Sequence, residues 1–446
     1  MSGYRLRWPS REEHSRVWQL AWPMILSNVT VPLLGLVDTA VIGHLPESHY
    51  LGAVAVGSMI FTTLYWAFGF LRMGTTGMTA QAWGRQDGDQ VRLLLARSLV
   101  LGVAIGLMLL LLHRPLIAIA LYLVDATPAV TAEAERYAWI RILGAPAVLC
   151  NYALLGWFLG NQNTRIPLLL LLVTNIANML LDIVAVYGLG MHAAGVALAT
   201  VCSEYIALGL GLYLSRGVLR QTSGTLDRAS LKRFGDYIEL LAVNRYLFVR
   251  TLSLLFAFAF FTAQGARLGT LYLSANAVLL NFLMLISYGL DGFAHATEAL
   301  AGRTIGERRL HRFYDLVVTA LIWSLVTALG FSLVFALAGE QIIALLTDLD
   351  DVRAMAARYL PWIVLLPLIG VWSYLLDGIF IGTTQVRAMQ NTMLLSVFGV
   401  YLPLWWLLRD FGNQGLWMAF LSLFIARAVT GGWVYRRLCV RQAWIT

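Results

Sequence analysis

Charge is scarce in this chain. Only 13% of its 446 residues are Asp, Glu, Lys or Arg, about half the share found in soluble domains. Three cysteines are too few for a disulfide scaffold, and Cys150, Cys202 and Cys439 show no metal-ligand spacing. There is no Gly-x-x-x-x-Gly-Lys-Ser/Thr phosphate loop and no His-Glu-x-x-His. No catalytic cluster sits at one end of the apolar segments. An enzyme is therefore not expected, nor a cofactor or resident metal, and any pumping must draw on an ion gradient. The net charge of +8 would suit nucleic acid only if the basic residues gathered on one face. They are spread along the chain, so no nucleic-acid partner is expected.

What the chain has is apolar length: 59% of it is hydrophobic. A membrane-spanning helix needs about 20 mostly apolar residues. Twelve such stretches occur, near 17–44, 51–73, 91–112, 135–159, 166–187, 192–214, 240–265, 273–298, 313–338, 357–381, 390–408 and 414–435. Their runs are continuous rather than alternating, which excludes a barrel and leaves helices. With the N-terminus cytoplasmic, that side collects twenty-two of the 32 basic residues, among them Arg5, Arg85, Arg165, Arg303 and Arg437. The opposite side holds six: Arg114, Arg136, Arg267, Arg353, Arg358 and Arg409. This bias predicts both termini in the cytoplasm.

The sequence also repeats itself. Residues 136–165 align without a gap on 358–387, pairing Tyr152 with Tyr374, Gly156 and Gly160 with Gly378 and Gly382, and Arg165 with Arg387. Further on, Gly195 and Gly211 pair with Gly415 and Gly431 at an offset of 220; earlier, Gly84-Arg85 and Gly88 pair with Gly302-Arg303 and Gly306 at 218. Six spans per half is an even number, so both halves enter the membrane in the same sense. The expected fold is an all-α integral membrane protein of 12 transmembrane helices. Its two six-helix lobes are related by a pseudo-twofold axis along the membrane normal, with the substrate path between them. The expected segments are a cytoplasmic N-terminal stretch (1–16), an N-lobe (17–215), a cytoplasmic linker (216–239), a C-lobe (240–437) and a cytoplasmic tail (438–446).

Ionisable residues at membrane depth are costly and usually functional. Asp38 follows Pro23, Asn28 and Pro32 in the first span, and each proline removes a backbone donor and invites a bend. In the fifth span Asn175, Asn178 and Asp182 share one helix face. Asp291 adjoins Gly292, Asp377 follows Tyr374 by three residues, and Glu204 lies in the sixth span. Arg141, Arg250 and Arg427 are expected to neutralise these acids or to snorkel rather than to bind an anion. Met24, Met73 and Met78 are candidates for an adaptable pocket, and aromatic rings suit organic cations.

The stretch Trp22-Pro-Met-Ile-Leu-Ser-Asn-Val-Thr-Val-Pro-Leu-Leu-Gly-Leu-Val-Asp-Thr-Ala-Val-Ile-Gly-His-Leu45 resembles the multidrug and toxic compound extrusion (MATE) family, DinF branch. Phe70-Leu-Arg-Met-Gly-Thr-Thr-Gly-Met-Thr-Ala-Gln81 and Leu290-Asp-Gly-Phe-Ala294 carry the same resemblance. It implies an antiporter in the bacterial inner membrane that exports amphipathic, often cationic compounds against protons or sodium. In proton-coupled members the first-span acid communicates with positions resembling Asn178, Asp182, Tyr137 and Thr200, and Pro23 occupies the helix-bending position. Asn28, Gln81 and Asn175 join the methionines as substrate-lining candidates. Sodium-binding members use a tenth-span acid resembling Asp377, but their seventh-span Glu has no counterpart in 246–265. Proton coupling through Asp38 is the reading adopted. Sodium at Asp377 or at the Asp38/Asp182 pair is the alternative, as is a lipid-linked substrate flippase of a related superfamily. Membrane lipids are the surrounding partner, and a monomer is expected.

Overall fold

The computed structural model describes residues 8–43, 48–227 and 229–444. The side chains of 31–40, 42–43, 48, 234 and 239 lie outside that description, and with them those of Pro32 and Asp38. Among the described residues the chain is helical throughout, without strands.

The first half runs α1 (Arg11–Gly43), α2 (Ser48–Ala67), α3 (Phe70–Gly84), α4 (Gly88–Leu111), α5 (His113–Val124), α6 (Pro128–Arg141), α7 (Ala145–Gly160), α8 (Arg165–Ile183) and α9 (His192–Gln221). The second runs α10 (Phe234–Leu268), α11 (Thr270–Gly306), α12 (Leu310–Leu346), α13 (Asp350–Gly382), α14 (Val386–Leu394), α15 (Leu402–Leu408) and α16 (Gly412–Arg441). Local chemistry fixes several starts. Ser10 and Glu13 form a capping box, with Ser10 N–H donating to Glu13 at 2.7 Å and Glu13 N–H to Ser10 Oγ at 3.3 Å. Asp87 caps α4 by accepting from Gln90 N–H at 3.0 Å.

Several spans are composite. The second joins α2 to α3, and the fourth joins α6 to α7 through a 3-10 turn at Ile142–Gly144. The fifth and eleventh each contain a π-helical segment, Val184–Gly188 and Leu395–Tyr401. The stretch 113–124, between the third and fourth spans, is the helix α5.

The repeat is visible in the backbone. A Cβ on Gly156 would stand 2.4 Å from the Arg72 carbonyl oxygen, and one on Gly378 would stand 2.5 Å from that of Ala294. One turn on, a Cβ on Gly160 would stand 2.9 Å from Thr76 O and one on Gly382 2.3 Å from Glu298 O. Both partners in each pair differ by 222 residues. Left-handed residues also fall in register: Gln86 with Arg308 and Gln162 with Thr384 at 222, His192 with Gly412 at 220. This corrects the offset of 218 read from Gly84-Arg85 and Gly302-Arg303. Those matching letters sit one helical turn out of structural register, an error that 3.6-residue periodicity makes easy.

By contact density, Leu26–Leu240 forms one unit, and Met1–Ile25 with Leu241–Thr446 forms the other. The dividing point lies inside α1. Side chains explain the placement. Trp18 meets Phe293 and Trp323 edge-on at 5.3 and 5.1 Å, and Trp323 Nε1 donates to His14 Nδ1 at 2.9 Å. Gly292 clears room for Ile25, whose Cγ1 would be 2.2 Å from a Cβ there.

The segment expected as a linker is largely docked on its own half. α9 continues to Gln221, Arg92 donates to Leu219 O and Thr222 O at 2.5 and 2.8 Å, and Arg97 pairs with Asp236 and donates to Ser230 O at 3.0 Å. The Asp227 carboxyl, in the loop itself, is held below the ordinary carboxylate range by donation from the Ser230 hydroxyl and the Ala229 amide.

Candidate functional site

Three polar residues of α8 organise the first half. Asn178 and Asp182 are fully buried, one turn apart on one face. Asn178 Nδ2 donates to Thr200 Oγ1 of α9 at 3.1 Å, and that hydroxyl donates to Val196 O at 2.9 Å. The Thr200 proton is thus committed to its own helix, leaving its lone pair for the amide. The structure therefore joins Asn178 to Thr200 directly, with Asp182 on the same helix face.

Tyr137 of α6 is also buried. Its hydroxyl lies 3.3 Å from Ser58 Oγ on α2, and its ring occupies the space over Gly57, where a Cβ would be 2.3 Å from Cδ1. Asn175 reaches the other way. Its Nδ2 donates to the Thr30 carbonyl of α1 at 3.2 Å, and Tyr187, just beyond α8, donates to the Val41 carbonyl at 2.8 Å. These two straps bracket residues 31–40 of α1, the stretch that carries Asp38. Tyr187 gave no sequence signal, because an interfacial tyrosine near a span end is ordinary.

Two of the other candidate acids, Glu204 and Asp377, are held by arginines. Arg141 grips Glu204 with both nitrogens, at 2.8 and 2.5 Å, and its guanidinium lies over the rings of Tyr65 (5.1 Å) and Phe61 (5.6 Å). Glu204 is consequently a structural partner in a buried pair. Asp377 pairs with two guanidiniums, that of Arg250 and that of Arg427 at 2.7 Å. One turn back on the same helix, the Tyr374 hydroxyl lies 2.5 Å from Ser287 Oγ on α11, and half-buried Asp291 is one turn beyond Ser287. Of the substrate-lining candidates, Met24 is buried, Asn28, Met73, Gln81 and Asn175 are half-buried, and Met78 packs against the core of α3, α4 and α7. Among the described residues no three His, Cys, Asp or Glu side chains converge as metal ligands.

Each half thus holds a buried ion pair, and the polar face of α8 is tied to the proline-containing helix α1. The MatE family model matches the chain twice, at residues 23–184 and 247–407, once in each half. The chain belongs to the MATE family. It is 45% identical to DNA damage-inducible protein F of Escherichia coli (strain K12), over 96% of this chain and 93% of that protein, which places it in the DinF branch. It is 22% identical to a probable multidrug resistance protein NorM of Acinetobacter baylyi, over 92% of this chain and 93% of that one. Among solved structures, a MATE in the bent conformation superposes with a TM-score of 0.86 at 18% identity, covering 97% of each chain. A MOP superfamily transporter from Pyrococcus furiosus gives 0.85 at 19% identity, covering 96% of each. This MATE transporter thus has the two-lobe fold expected from its repeat.

Proposed function

We propose that this MATE transporter is an efflux antiporter that exports amphipathic, cationic organic compounds in exchange for protons, with protonation of Asp38 coupled to bending of α1 at Pro23. The observation that carries the proposal is the divided anchoring of α1. Up to Ile25 it packs on Phe293, Trp323 and Gly292 of α11 and α12; from Thr30 onward it is strapped to α8. Pro23 stands just before the change of anchor, and a proline lacks the amide that would stiffen the helix there. A bend at that point moves the Asp38-bearing part relative to the anchored part. Relatives of this fold have been solved in bent and straight conformations.

In this scheme Asp38, with Asn178, Asp182, Tyr137 and Thr200, forms the proton- and cation-responsive set. Ionised carboxylates favour a cationic guest; protonation removes that charge and releases it. Coupling requires only that proton and substrate favour different states. Sodium coupling through Asp377 fits less well. Two guanidiniums already neutralise that carboxylate, and a sodium ion there would face both positive charges. We further propose an inner-membrane monomer with both termini cytoplasmic, transporting between lobes 17–215 and 240–437.

The test is efflux of a fluorescent organic cation from proteoliposomes with proton and sodium gradients applied separately. A proton gradient alone should drive efflux, Asp38→Asn should abolish it, and Pro23→Ala should impair it without lowering expression. Full-rate efflux by Asp38→Asn, or strong efflux on sodium alone, would overturn the scheme.

A further inference from the structure

We propose that the groove between α14 and α16 is a binding site for an anionic phospholipid, an acyl chain lying along its floor and the headgroup phosphate held by Arg437 and Arg441. The groove has a volume of about 670 Å³ and is lined by Leu395, Val429, Trp433 and Leu438, with the two arginines at one end. The hydroxyls on its floor are already engaged. Thr392 Oγ1 donates to Met389 O at 2.9 Å and Thr430 Oγ1 to Ala426 O at 2.6 Å. Apart from the Asn391 carboxamide, a guest therefore meets mainly hydrocarbon until it reaches the guanidiniums.

The charged end is distinctive. Arg437 and Arg441 are four apart, on one face of α16, and both are exposed. Among the described residues neither has a carboxylate within ion-pair distance, unlike Arg141, Arg250 and Arg427. The Arg437 guanidinium lies 5.4 Å from the Trp433 ring centroid, an aromatic–cation pairing suited to the membrane–water boundary. The rim has a defined shape. Gln442 adopts a left-handed conformation (φ 51°) and ends the helix, so that Trp444 turns back against Phe313 and Tyr435 at 5.0 and 5.3 Å. Ala443 thereby becomes part of the lining. An apolar trough ending in two unpaired cations matches a lipid that carries hydrocarbon at one end and negative charge at the other.

Arg436 supplies an internal control. It is adjacent in sequence and equally basic, but does not line the groove. The experiment is native mass spectrometry of the full-length protein, delipidated and resupplied with equal phosphatidylglycerol and phosphatidylcholine. The wild type should retain phosphatidylglycerol preferentially. R437Q/R441Q should reduce that preference about 25-fold, each guanidinium contributing about fivefold. Arg436→Gln should leave it unchanged, and Val429→Trp, which fills the trough without altering charge, should abolish retention of both lipids. R437K/R441K, retaining the charges, serves if the Gln pair fails to fold and should keep the preference. Equal retention of the two lipids by the wild type, no retention at all, or an Arg436→Gln loss as large as that of Arg437→Gln would overturn the proposal.

Discussion

Arg141 holds both carboxylate oxygens of Glu204, at 2.8 and 2.5 Å, in a site where each side chain is about nine-tenths buried. Two charges that close and that well enclosed stabilise each other only as a pair. Glu204→Gln should destabilise the protein by roughly 3–5 kcal/mol, since it strands a buried guanidinium. Arg141→Met together with Glu204→Leu should recover most of that loss. Thermal unfolding of the detergent-solubilised variants, arranged as a double-mutant cycle, checks both values.

Asp377 faces two arginines, so its removal should be more damaging still. Asp377→Asn leaves Arg250 and Arg427 repelling each other, and the Asp377→Asn/Arg250→Met pair should be more stable than Asp377→Asn alone. Sodium supplies an independent check. A ligand that binds only the folded state raises the melting temperature; exchanging choline for sodium at constant ionic strength should leave it unchanged.

The close approaches at Gly156 and Gly378 predict matched sensitivity in the two halves. Alanine at either position brings a methyl group against a backbone carbonyl, and a backbone cannot yield as a flexible side chain can. Each substitution should cost roughly 1–3 kcal/mol, whereas alanine at Gly209 or Gly432, where nothing lies within 4 Å, should cost little. Melting temperatures of the four variants make the comparison.

Loosening the straps on α1 should be visible without measuring transport. Tyr187→Phe removes the bond to the Val41 carbonyl and Asn175→Ala the bond to that of Thr30, each worth roughly 0.6–2 kcal/mol within a membrane bundle. Amide hydrogen exchange in residues 31–41 should accelerate in the double variant, with residues 11–22 unaffected because their anchors lie on α11 and α12.

Much of the architecture was legible in the sequence. Composition and run length determined a helical membrane protein, because lipid offers no partner to an unpaired backbone amide. The recurrence of Gly156 and Gly160 as Gly378 and Gly382 exposed the repeat, since helices that cross at a carbonyl tolerate no side chain there. The fifth-span residues Asn178 and Asp182 were legible for a similar reason: polar groups at that depth must face inward.

Tertiary structure alone decided the pairings. Sequence nominated Glu204, Asp291 and Asp377 on nearly equal terms, and only the fold shows Glu204 gripped by Arg141 and Asp377 enclosed by Arg250 and Arg427. Partners 50 to 127 residues apart are set by helix packing, which no local pattern encodes. The same holds for α1. Its prolines and acid are local facts, but its division between anchors on Phe293 and Trp323 and straps from Asn175 and Tyr187 comes from surfaces brought together only when the bundle forms.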